Sequence, residues 1–285
     1  MSVDGNSVTQ ENPLKAEPSL TPTEKLNRQI EASREAVNAL VAFSLANGEE
    51  KSKFDHLDQV WDPFYFSLVP DKDLVGRAAV TDLKEGFIFI GENRADNFHT
   101  VFHESIHRAA FLKRKKEGRA ASPDVIAGLY GFTINADDKS VEPLDQKSLA
   151  EISEQARPAY LENWRQQIRL INELFEEGVT EWVVQRANGL TAVNGKPIVV
   201  GEDGGGYSVH LDLIDAIRQY LEGKKMSKDQ FDALLIETAL TGDMTSMVQK
   251  MGENTLYLVS ELIPILADFV EYRKGVVSKL ISSKK

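Results

Sequence analysis

The chain has 285 residues, 42% hydrophobic and 27% charged, enough to bury a full core as one large unit or two subdomains around a cleft. Ordinary apolar content excludes wholesale disorder, and the absence of cysteine excludes a disulfide scaffold, a thiolate metal site and a catalytic thiol. Lys and Arg total 33 against 44 Asp and Glu, and the net charge of −11 disfavours nucleic acid and anionic membranes as partners.

Residues 1–22 carry Pro13, Pro18 and Pro22 among Ser, Thr, Asn and Glu, with no aromatic residue, and read as a mobile tail. No basic start leads into an apolar stretch, so the segment does not read as a Sec-type signal. No later run approaches the roughly 20 apolar residues of a membrane span. The expectation is a soluble, cytoplasmic protein. Residues 23–285 read as one unit, with an N-terminal α+β part to residue 157 and a helical part from 158.

Leu26, Ile30, Val37, Leu40 and Val41 predict a helix that ends near Asn47-Gly48. Residues 54–70 are aromatic-rich and broken by Pro63 and Pro70, which suits a packed irregular segment. Residues 86–91 (GFIFIG) predict a short buried strand bounded by glycines. Within 95–115, Phe98, Val101, Phe102, Ile106, Ala109 and Ala110 recur at three- and four-residue steps, the pattern of an amphipathic helix. An extended excursion with weak strands is expected over 124–145, then a helix from 158 to about 187 and a strand over 196–201. Helices over 207–223, 227–239 and 254–280 complete an α+β, mostly helical fold.

The sharpest signal is His103-Glu104-Ser105-Ile106-His107 on the predicted 95–115 helix. Residues four apart stack on one helical face, so two imidazoles can point at one ion from adjacent turns. Glu104 lies on the flank of that face, where it can take a proton from water. A third protein ligand is needed, and no His follows closely. The later helix offers Glu177 as the ligand, with Glu181 one turn on either as the alternative ligand or as the acceptor that orients an imidazole. Gly178 between them costs about 1 kcal/mol relative to Ala in a helix, which suits a close approach. His99 stacks four residues before His103, but one helix cannot bend three turns around one tetrahedral ion. It therefore reads as a partly exposed histidine outside the ligand set, with a place on the rim or behind a ligand as its alternative. His56 has no supporting context.

HESIH followed by EEGVTEW resembles the gluzincin metallopeptidases, in which an H-E-x-x-H helix precedes a helix reading like N-E-G-x-T-E. The resemblance covers roughly residues 85–250 and is specific at the two motifs. It implies a zincin-like catalytic unit, a short N-terminal sheet, a helical C-terminal subdomain, Zn²⁺ as cofactor, and a peptide or protein substrate. His103, His107 and Glu177 would hold the zinc, and Glu104 would be the general base. Residues 86–91 resemble the family's edge strand, which pairs with extended substrate. The family also needs a donor for the developing oxyanion, and Tyr207 and His210 in GGGYSVHLDL are the candidates, Tyr207 preferred because a phenol donates. One departure is the span of about 70 residues between His107 and Glu177, far longer than in many members, which implies an insertion.

The alternative function is a non-catalytic zincin-fold protein that binds metal or a partner. The basic run 108–119 reads as a solvated helix end, with a docking patch for an acidic partner as its alternative. Nothing in the sequence sets an oligomeric state.

Overall fold

A capping box opens the first helix, α1 (Pro22–Ala46): the Thr21 hydroxyl accepts from the Glu24 amide at 3.3 Å, and the Glu24 carboxylate accepts from the Thr21 amide at 2.8 Å. In this computed structural model the described residues are 20–74, 77–82, 85–118, 132–134, 141–143, 153–156, 177–201, 207–222 and 226–243. Most of the expected tail, most of the helix expected from 158, and the helix expected over 254–280 lie outside them. Leu26, Ile30, Val37 and Leu40 form the buried stripe of α1, as their spacing predicts.

Residues 51–65 form three short 3-10 turns and lead into a strand, β1 (Phe66–Val69), in a stretch expected to be irregular throughout. It joins β2 (Ala79–Thr81) and β3 (Ile88–Gly91) in a three-stranded sheet of order β1-β3-β2. β1 runs parallel to β3, with Phe66 opposite Ile88, and β2 runs antiparallel, with Thr81 opposite Ile88. The 86–91 segment is thus a strand, but it is the central one. The expected edge strand is corrected accordingly: β3 has neighbours on both sides, so its backbone has no free edge for a substrate. Phe66, Ala79, Ile88 and Ile90 turn one face of the sheet onto Leu26 and Ile30 of α1 and onto Val101.

Asn97 caps α2 (Phe98–Lys116), its side chain accepting from the Thr100 amide at 2.8 Å. β4 (Phe132–Ile134) and β5 (Val141–Pro143) pair antiparallel within the expected excursion. A π-helical turn at residues 177–178 enters α3 (Val179–Arg186). No strand forms over 196–201. Instead, Ala192 donates to the Lys196 carbonyl and Ile198 to the Leu190 carbonyl, each at 2.8 Å, closing a tight loop with one bridge between Thr191 and Pro197.

After α4 (Ser208–Glu222), Ser227 and Gln230 form a second capping box for α5 (Lys228–Thr241). That helix ends at Gly242 in the left-handed conformation (φ 62°). Every residue of α5 from Phe231 to Thr241 is buried, so it is surrounded by protein rather than amphipathic. Its buried acids have cationic partners: Asp232 meets Arg186 at 2.8 Å and Glu237 meets Lys53 at 2.9 Å. One continuous core joins Val37 and Leu40, Phe102 and Ile106, Val179 and Val183, Ile214, and Phe231 and Leu234. It therefore crosses the boundary expected at 157/158. The architecture is mostly helical with a small sheet, and no described helix is long and apolar enough to cross a membrane.

Candidate metal centre

The position of α2 is set first by Arg108, the residue directly after the H-E-x-x-H motif. Its guanidinium is buried and donates to the carbonyls of Val60 at 3.1 Å, Gln59 at 3.2 Å and Gly86, while lying 3.8 Å from the Tyr65 ring centroid. Arg114, also in the basic run, is buried too, and Lys116 meets Asp55 at 2.7 Å. The run thus ends in exposed residues, 115–118, as a solvated helix end does, but two of its arginines turn inward. Arg108 clamps the helix that carries the histidines to the 3-10 segment and to the turn before β3.

On α2, His99, His103 and His107 form one stripe. Facing it are Glu177, in the π-helical turn, and Glu181, in the first turn of α3. His99 pairs with Glu181, His103 with both glutamates, and His107 with Glu177, so the two helices run antiparallel at this point. His103 Nε2 lies 3.1 Å from His107 Nε2 and 3.3 Å from Glu177 Oε2, and His107 Nε2 lies 3.7 Å from that same oxygen. Ligand atoms about 2.05 Å from a tetrahedral ion are about 3.4 Å apart, and these three separations straddle that value. The donor chemistry, two imidazoles and a carboxylate, suits a borderline divalent ion. His103, His107 and Glu177 could thus hold one metal ion between them.

A second trio, His99, His103 and Glu181, also brings one donor atom from each residue within 4.8 Å of the others and could hold a metal ion. It uses the other face of His103: Glu181 Oε2 lies 3.3 Å from His103 Nδ1 and 2.9 Å from His99 Nε2. Gln185 donates to Glu181 Oε1 at 3.0 Å. The two glutamates differ in access. The Glu181 side chain is 0% exposed, whereas that of Glu177 is 38% exposed and that of His107 is 16%. The first trio opens to solvent.

Burial opposes charge on His103, but hydrogen bonds to Glu177 and Glu181 and the charges of Glu177 and Glu104 outweigh it and raise its pKa to about 10. Burial likewise opposes charge on Glu181, yet bonds to His103 and His99 lower it to about 2. Glu177, against its own burial, is held well below the ordinary carboxylate range by His107 and His103. Without a metal the cluster keeps a proton where a cation would sit. Such a site could bind a divalent ion only by giving up that proton.

Glu104 is half-buried beside the cluster, and Thr81 of β2 donates to its Oε2 at 2.5 Å. The Tyr207 hydroxyl donates to Glu177 Oε2 at 3.2 Å, and its ring lies 5.5 Å from that of His103. His210 is buried behind Tyr207, ring to ring at 5.6 Å. Tyr207 therefore touches the centre directly, and His210 packs against Tyr207. His99, expected to be partly exposed, is buried and bonded to Glu181. Its position on the stripe was visible in the sequence, but its partner lies 82 residues away. Thr81, 23 residues from Glu104, gave no sequence signal. His56 is buried and bonds the Leu240 carbonyl at 2.9 Å. Comparison with protein-family models, with curated proteins and with solved structures finds no match to this chain.

Proposed function

We propose that the protein is a zinc-dependent peptidase of gluzincin type. The observation that carries this reading is the approach of His103 Nε2, His107 Nε2 and Glu177 Oε2 within 3.1–3.7 Å on a side open to solvent. A glutamate follows the first of these histidines directly. Among the described residues no fourth His, Cys, Asp or Glu joins that trio, which favours a centre with an open coordination position over a closed structural one. A zinc ion held there supplies Lewis-acid polarisation of a peptide carbonyl and lowers the pKa of bound water.

Glu104 is the base: its carboxylate takes a proton from the attacking water, whose oxygen joins the carbonyl carbon. It then returns that proton to the nitrogen as the carbon–nitrogen bond breaks. The Thr81 hydroxyl holds one Glu104 oxygen, leaving the other for this proton. The Tyr207 hydroxyl, already at the centre, turns its one hydrogen from Glu177 to the oxyanion.

The test is Glu104→Gln, assayed with zinc against a mixture of unstructured peptides. The variant is expected to bind zinc as the wild type does and to cleave at least a hundredfold more slowly. Cleavage at the wild-type rate would defeat the mechanism.

A further inference from the structure

The second trio, His99, His103 and Glu181, can be read as another ion site or as a brace for the first. Hydrogen placement decides between them. The His99 Nδ1 atom is buried with no hydrogen-bond partner among the described residues. A ring that gave Nε2 to a metal would carry its hydrogen on Nδ1 and leave that buried N–H unmatched, whereas metal-bound imidazoles donate their second nitrogen to an acceptor. With the hydrogen on Nε2, His99 donates to Glu181 at 2.9 Å, and the bare Nδ1 needs no acceptor.

Glu181 then has three donors: His99 Nε2 and His103 Nδ1 on Oε2, and Gln185 Nε2 on Oε1. A buried carboxylate so fully engaged cannot rotate. We infer that His99 is a positioning residue that locks Glu181, which in turn keeps the His103 hydrogen on Nδ1 and presents bare Nε2 to a single ion shared with His107 and Glu177. His99 touches neither ion nor substrate. It acts two bonds back, through Glu181. This rests on the zinc reading above, which would name the ion but not the brace.

The experiment measures zinc stoichiometry and Kd by competition with a fluorescent chelator, with the thermal midpoint of each zinc-free form alongside. Wild type, His99→Leu, His99→Asn and His99→Gln are compared. Gln places an N–H near the position of Nε2; Leu has none, and Asn is too short to reach. The expected result is one zinc per chain in the wild type. Kd should weaken about tenfold or more in His99→Leu and His99→Asn, and recover to within about threefold of wild type in His99→Gln. If the Leu variant does not fold, the Asn and Gln pair carries the comparison.

A zinc Kd unchanged in the Asn variant, even with a lowered midpoint, overturns the brace and leaves the zinc reading intact. Two zinc ions in the wild type, falling to one without His99, overturn it in favour of a second ion site. A wild-type chain that takes up no zinc defeats both proposals.

Discussion

Thr81 and Glu104 illustrate how much a single side chain controls at this site. The Thr81 hydroxyl has one hydrogen, and the 2.5 Å approach to Oε2 commits it to the carboxylate rather than to the Glu104 carbonyl at 3.3 Å. Thr81→Val preserves shape while removing that donor. Under the proposed mechanism it is expected to leave zinc binding unchanged and to lower kcat about tenfold, read from steady-state kinetics of zinc-loaded protein. The pKa shifts make a second prediction. For His103 the folded value, about 10, lies above the ordinary 6.5, so its charge stabilises the zinc-free fold fully below about pH 6.5. That contribution is lost as pH rises through about 10. Urea titrations in chelator should show the wild type losing more stability between pH 7 and 10 than His103→Gln does. Equal losses would contradict the assignment. Glu181 has the opposite sign. Its value of about 2, below the ordinary 4.5, gives stability present above pH 4.5 and lost as pH falls through 2.

At the scale of elements, α2 is held by its ends and its middle. Asn97 caps its start, and Asn97→Ala is expected to cost about 1 kcal/mol by chemical denaturation. Arg108 anchors its middle through three carbonyls, and Arg108→Met should cost about 3 kcal/mol by leaving those buried acceptors unmatched. The helix itself was readable because its apolar residues recur at helical pitch, a signal contained within one element. β3 was readable as a strand for a similar reason, being a short apolar run between glycines. Its central place was not, since strand order depends on β1 and β2 arriving from both sides. The 196–201 segment misled in the opposite sense. Its apolar Ile198, Val199 and Val200 suggest a strand, but the backbone there bonds back to its own loop, and Val199 is 73% exposed.

Among the described residues of the molecule, α5 lies against α1, α2 and α3 and ties the histidine helix to the glutamate helix through one core. Phe231 is fully buried there, edge-on to Trp182 of α3 at 6.4 Å. Phe231→Ala is expected to destabilise the protein by about 3–5 kcal/mol in urea, an effect that saturating zinc should partly offset by binding only the folded chain. A variant within 1 kcal/mol of wild type would mean that α5 is not the centre of the core.

Local chemistry written along the chain sufficed for the helix that carries His103 and His107, and it pointed to Glu177 and Glu181 as the acids that meet them. Helical pitch and donor type act within a few residues, so spacing alone reports them. Which carboxylate faces solvent, that His99 is buried on Glu181, that Thr81 holds Glu104 and that Arg108 points inward depended on contacts between segments 23 to 82 residues apart. Spacing along one helix cannot report such contacts, because they exist only once the core has brought distant elements together.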